Sequence, residues 1–188
     1  MDELLTWIEH HPGLAAWCQA VGAILAIGVA IWVPARQHTV ARADAEEERR
    51  LKAQGLALRL LPALLDFEPR VKDAIEKTRA IPPEMAGPGP VIVYLVTHAS
   101  VSAPDELVED VDRLYLMGAR AGFPAQQLLA FLNKHARDLE RAQLTAFTTV
   151  DQSVVPKLHT EIVDSLGRIS KLLDTSIERV RAVHNGEW

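Results

Sequence analysis

From Leu14 to Val33 the chain runs for twenty residues without a charged side chain, and Gln19 is the only strongly polar residue in the run. At about 1.5 Å per residue, a helix of that length covers roughly 30 Å, the hydrocarbon thickness of a bilayer. Few folds accept such a segment. A soluble domain of this size would bury a shorter helix and give it one polar face. The flanks fit a span as well. Trp17 and Trp32 stand near its two ends, where amphipathic indoles prefer the headgroup region, and Pro34 and Arg36 close it. Residues 14–33 are therefore expected to form a transmembrane helix with Trp17, Trp32 and Arg36 at the membrane interface. Val33 and Ala35 look like a small-residue cleavage site, but a secretory signal opens on basic residues and has an apolar core of about 7–15 residues. The first thirteen residues, MDELLTWIEHHPG, hold no Lys or Arg, and the apolar run is too long.

Orientation follows from the distribution of Lys and Arg, which accumulate on the cytoplasmic side of short flanks. Arg36, Arg42, Arg49, Arg50 and Lys52 all follow the run. Residues 1–13 are accordingly expected to be a short extracytoplasmic tail, and everything after Pro34 to lie in the cytoplasm, at the inner (cytoplasmic) membrane. The net charge of −5 argues against a general nucleic-acid binder. Abundant Ala and Leu with few aromatics favour helix over sheet. The roughly 150 residues after the span suffice for one small core. The expected fold is all-α: one N-terminal transmembrane helix continuing into a helical stalk and a small cytoplasmic antiparallel helical bundle. Cys18 is the lone cysteine, so no intrachain disulfide and no cysteine-based metal site can form.

Residues 34–80 read as a charged stalk and first bundle helix. Glu46 and Arg50, and Glu48 and Lys52, have the i,i+4 spacing of a solvated helix, and an apolar series then runs Leu56, Leu60, Leu61, Leu64, Leu65, Phe67, Val71, Ile75. Pro34, Gly55, Pro62 and Pro69 mark bends rather than ends. Residues 81–90, IPPEMAGPGP, are expected to be a loop. The rest, 91–188, reads as a helical bundle with a long C-terminal helix. VIVYLVTH at 91–98 has the composition of a strand, but no partner strand is evident, so a short buried helix is the expectation. Ser102 and Asp105 have the form of a capping box, with Leu107, Val111 and Leu114 at helical spacing and Gly118 as a stop. Gly122-Phe123-Pro124 opens another helix with the stripe Leu128, Leu129, Leu132, Ala136, Leu139, Ala146. After the broken stretch TTVDQSVVP the longest stripe follows: Leu158, Ile162, Leu166 or Ser165, Ile169, Leu173, Ile177, Val180, Val183.

No nucleotide-binding loop, metalloprotease helix, nucleophile elbow or dinucleotide turn occurs, so the chain reads as non-enzymatic, without cofactor or metal. His10 and His11 read as solvated residues near the membrane, and His135 as a half-buried helix residue. The acidic set Asp105, Glu106, Glu109, Asp110 and Asp112 reads chiefly as a solvated helix start, with a docking face for a basic partner as the sharper alternative. Within the span, Gln19, Gly22, Ala26 and Ala30 share one face, and small residues at that spacing let two helices approach closely. The function these features suggest is a membrane-anchored interaction or scaffold protein. Its helical domain would bind itself, as a homo-oligomer, or a cytoplasmic protein partner, with membrane lipid around the span. The alternative is a homo-oligomeric leak or pore gated by the bundle.

Overall fold

The computed structural model describes residues 12–82, 88–146 and 153–187. The expectations for the tail 1–11, including His10 and His11, fall outside the described residues. So do the centre of the Pro/Gly segment and the side chain of Cys18. The described residues are all-helical and contain no strand. The chain divides into two units, 1–48 and 49–188, with the boundary inside the first helix, α1, Pro12–Arg79.

Within the first unit α1 is uninterrupted, and no described side chain from Gly13 to Glu48 is buried. Pro34 is absorbed without ending the helix. The same holds in the second unit for Pro62 and Pro69, both of which face solvent, where the carbonyls they leave unbonded can be hydrated.

The second unit has one core. The α1 residues Leu60, Leu64, Phe67 and Val71 meet Ile92 and Leu95 of α2 (Pro88–Ala99) and Leu107 of α3 (Asp105–Glu109). Leu114 and Met117 come from a 3₁₀ segment (Val111–Met117), Leu128 and Leu132 from α4 (Gly118–Ala146), and Leu166 and Ile169 from α5 (Val154–His184). The helical reading of VIVYLVTH is what the fold adopts. Val91, Ile92, Leu95 and Ala99 are buried on one face, and Val93 and Tyr94 are exposed on the other. Burying each large side chain contributes about 1.5–3 kcal/mol, more than the strand preference of the residues, which spans about 1 kcal/mol.

Several local expectations are corrected. The helix α2 begins at Pro88, inside the 81–90 segment, because prolines in a first turn lack only N–H groups that would have no helical partner anyway. By the same logic α5 begins at Val154 and includes Pro156. The Ser102–Asp105 capping box does not form: Pro104 is the N-cap, with no side-chain cap, and Ser102 Oγ instead accepts a hydrogen bond from Arg70 Nη2 at 3.2 Å. Gly118 ends the 3₁₀ segment with φ of 70° and starts α4 directly, so Pro124 lies inside α4 rather than at its start.

Gly122 is required sterically. A Cβ there would lie 2.2 Å from the Leu114 carbonyl oxygen, a backbone atom that cannot turn aside. Gly122→Ala is expected to lower stability by about 1–3 kcal/mol through overpacking, despite the better helix propensity of alanine. Urea unfolding of the two proteins checks this, and an unchanged midpoint would refute the close approach.

Candidate functional site

Two features of the molecule are candidates for function, and each is built from a different part of the sequence. The first is the apolar half of α1. Trp17, Ile24, Leu25, Ile27, Val29, Ile31 and Trp32 are all exposed, and this is the one described helix long and apolar enough to cross a membrane. The guanidinium of Arg36 sits 5.2 Å from the Trp32 ring centroid, one turn earlier, joining a cation to the aromatic end of the run. Gln19, Gly22, Ala26 and Ala30 are exposed as well, and a Cβ at Gly22 would meet nothing within 4 Å.

The second is a polar bridge in the second unit that the sequence reading placed imperfectly. His135 is 2% exposed, and Ala136, which was expected to face the core, is exposed instead. His135 Nε2 lies 3.0 Å from the Ala99 carbonyl oxygen, which can only accept, so this nitrogen carries the proton. Nδ1 then accepts from Ser165 Oγ at 2.9 Å. One imidazole thus links the end of α2, the middle of α4 and the middle of α5. Burial holds its pKa below the ordinary 6.5, with the Ala99 carbonyl and Asp138 opposing. The pair floors an open cleft of about 410 Å³ whose rim carries Lys134, Asp138, Arg141 and Glu161. A serine hydrogen-bonded to a neutral histidine has the components of a nucleophile and base. Here, however, Ser165 lies mid-helix, where backbone N–H groups are committed to the helix rather than aimed at a developing oxyanion. The arrangement is a buried interhelical bridge.

The acidic set is divided by the fold. Asp105, Glu109 and Asp112 are exposed and Glu106 is half-buried, whereas the Asp110 side chain is only 3% exposed. Asp110 Oδ2 lies 3.3 Å from Arg59 Nη1, and Oδ1 accepts from Arg113 Nη1 at 3.4 Å. Arg59 Nη2 also donates to Glu109. Part of the acidic set therefore has its basic partner inside the chain, fifty residues away. Sequence reasoning had no signal for Arg59, which sits in a helix with several other cations.

Among the described residues no three His, Cys, Asp or Glu side chains gather as a metal site. Comparison of the chain with protein-family models, with curated proteins and with solved structures gives no match.

Proposed function

We propose that the chain is a single-pass membrane protein of the inner membrane, with its N-terminus outside and its C-terminus in the cytoplasm. Its helical bundle acts, without catalysis, as an interaction module that associates with itself or with a cytoplasmic partner. The observation that carries this reading is the full exposure of a bilayer-length apolar helix, in a chain whose second unit already has its own core. Uncovered apolar surface of that extent is stable in lipid and costly in water. The Trp17 and Trp32 positions, with Arg36 beside Trp32, support the membrane boundaries, and the one-sided placement of Lys and Arg supports the orientation. Reporter fusions at residue 188 test it, and extracytoplasmic activity there would overturn the orientation.

Self-association is assigned to the Gly22/Ala26/Ala30 face. Gly22→Ile is a clean probe because, among the described residues, nothing outside its own helical turn lies within 4 Å of the added carbon, so a loss reports on a neighbouring helix. It is expected to weaken association by about 1–2 kcal/mol, measured by crosslinking or energy transfer in bilayers. An unaltered monomer–oligomer equilibrium would remove this face from the assembly. The pore reading is the weaker one, because Gln19 is the only strongly polar side chain a lumen could borrow from residues 14–33. Depolarisation of cells on overexpression, relieved by Gly22→Ile, would reverse that preference.

A further inference from the structure

In the second unit α1 has two apolar faces, and the bundle covers one of them. Leu56, Leu60, Leu64, Phe67 and Val71 lie on the buried face. On the opposite side Leu51, Gly55, Leu58, Pro62, Leu65 and Pro69 are all exposed, and none is charged. The three leucines are 62%, 57% and 37% exposed. At about 100° per residue, the six positions fall within about 40° of one line, which runs roughly 180° from the centre of the buried face. Charged residues stand on both sides of that line, with Lys52, Arg59 and Arg70 on one and Arg50, Glu68 and Lys72 on the other.

The spacing along that line points to a second helix. From Leu51 to Pro69 the intervals are 4, 3, 4, 3 and 4 residues, the alternation of a seam between paired helices. A lone surface leucine needs no explanation. Three at seven-residue intervals, with charge on both sides, make an apolar line with a polar rim, the anatomy of an interface. Pro62 and Pro69 do not interrupt the seam, because α1 is continuous through both. The carbonyls they leave unbonded can keep a water at its edge, as interfaces routinely do.

We infer that the seam of Leu51, Leu58 and Leu65 packs in parallel against the same seam of a second copy of the chain. The inference rests on the membrane reading and names the surface of the bundle that self-association uses. Two copies anchored in one membrane send their α1 helices out of it in the same direction, so the parallel register is the one open to them. In that register Gln54 meets Arg59 across the seam and Leu61 meets Asp66, and no like charges face each other between Leu51 and Pro69. Six positions bury less than the about 800 Å² per partner of a free-standing interface. A seam of that size suits a copy already confined to the same membrane, where the effective concentration is high, over a partner arriving from solution.

The test is disulfide crosslinking of the full chain in native membranes, with Cys18→Ala removing the native thiol. Leu51→Cys, Leu58→Cys and Leu65→Cys are each expected to crosslink to the same position of a second copy. A disulfide needs the two Cα atoms within about 7 Å, and a parallel seam sets like positions opposite one another. Arg137→Cys on α4 and Glu178→Cys on α5, both exposed, measure chance collision and should give at least about tenfold less crosslinked chain. Leu58→Glu sets like charges across the seam and should lower the Leu51→Cys yield by about tenfold or more. Leu58 is exposed, so circular dichroism should not change. Crosslinking through Leu58→Cys alone would indicate an antiparallel pair, in which the two copies of residue 51 lie about 27 Å apart, and would overturn the proposal. Seam yields no higher than those at residues 137 and 178, or a Leu51→Cys yield unmoved by Leu58→Glu, would also overturn it. Fractionation of the same membranes reads the anchor separately. Chain retained in the membrane without seam crosslinks strikes the seam alone, and chain found outside it strikes the membrane reading together with the seam.

Discussion

Arginine at both Ile24 and Ile27 is expected to move the full chain from the carbonate-resistant membrane fraction to the soluble or aggregated fraction. An arginine near the centre of a spanning helix costs about 2.5–3.5 kcal/mol on insertion scales, so two cost about 5–7 kcal/mol, a shift of several powers of ten. Both isoleucines are exposed, at 69% and 60%, and the buried core starts only at Ala53. The change therefore acts on the relation to the solvent rather than on folding, and arginine is a good helix former. Ile24→Leu with Ile27→Leu is the matched control and should fractionate like wild type. Recovery of the double arginine variant in the membrane at wild-type level would mean that something other than bilayer burial covers this helix.

That prediction starts from a helix legible in the sequence: the apolar run is helical and exposed in the structure, as its length and lack of charge imply without any tertiary partner. The long stripe of α5 was legible for a related reason: Ile162, Leu166, Ile169, Leu173, Ile177, Val180 and Val183 are buried as the spacing implied. The stripe of α4 was misread at one seat. At about 100° per residue, positions 135 and 136 both lie about 50° from the centre of Leu128, Leu129, Leu132, Leu139 and Ala146, on opposite sides, so periodicity does not choose between them. Residue type favoured Ala136. The fold turns His135 inward, since the imidazole can satisfy both nitrogens in the core and a methyl group has little area to bury.

The remaining misreadings have a common cause. Capping boxes and loop composition are local signals that packing with distant residues overrode, while the acidic run stays mostly exposed and only Asp110 is drawn into a buried pair. Ser102 is taken by Arg70, Asp110 by Arg59 and Arg113, and the Pro88–Gly89–Pro90 sequence becomes a first helical turn because α2 has apolar residues to bury. An acidic cluster gives no indication of which arginine will neutralise it. That choice is made by the packing of α1 beside α3 and the 3₁₀ segment, which places Arg59 at the cluster.

The bridge at His135 carries the second large effect. His135→Leu is expected to lower stability by about 2–4 kcal/mol, because the Ala99 carbonyl, in a fully buried residue, loses its donor, and Ser165 loses its acceptor. Ser165→Ala removes only the second contact and should cost less, about 0.5–1.5 kcal/mol, since His135 keeps the Ala99 bond. The pH dependence separates a bridge from simple packing. Burial lowers the folded-state pKa of His135 below 6.5, so the unfolded chain takes up this proton before the folded one. The contribution is therefore fully present above about pH 6.5. It is lost progressively as pH falls from there toward the folded-state value, and is constant below it. The charged groups around the cleft are Asp138 and Glu161 of one sign and Lys134 and Arg141 of the other, and of these Asp138 opposes the larger effect of burial. Urea unfolding at pH 8, 7, 6 and 5 should show wild-type stability falling more steeply with acid than that of His135→Leu. The difference between the two curves isolates this residue from the other histidines, including His159, which donates to the Thr78 carbonyl at 2.9 Å. Parallel curves for the two proteins across that range would mean that His135 is not held neutral by the fold, and that α2, α4 and α5 are joined there by packing alone.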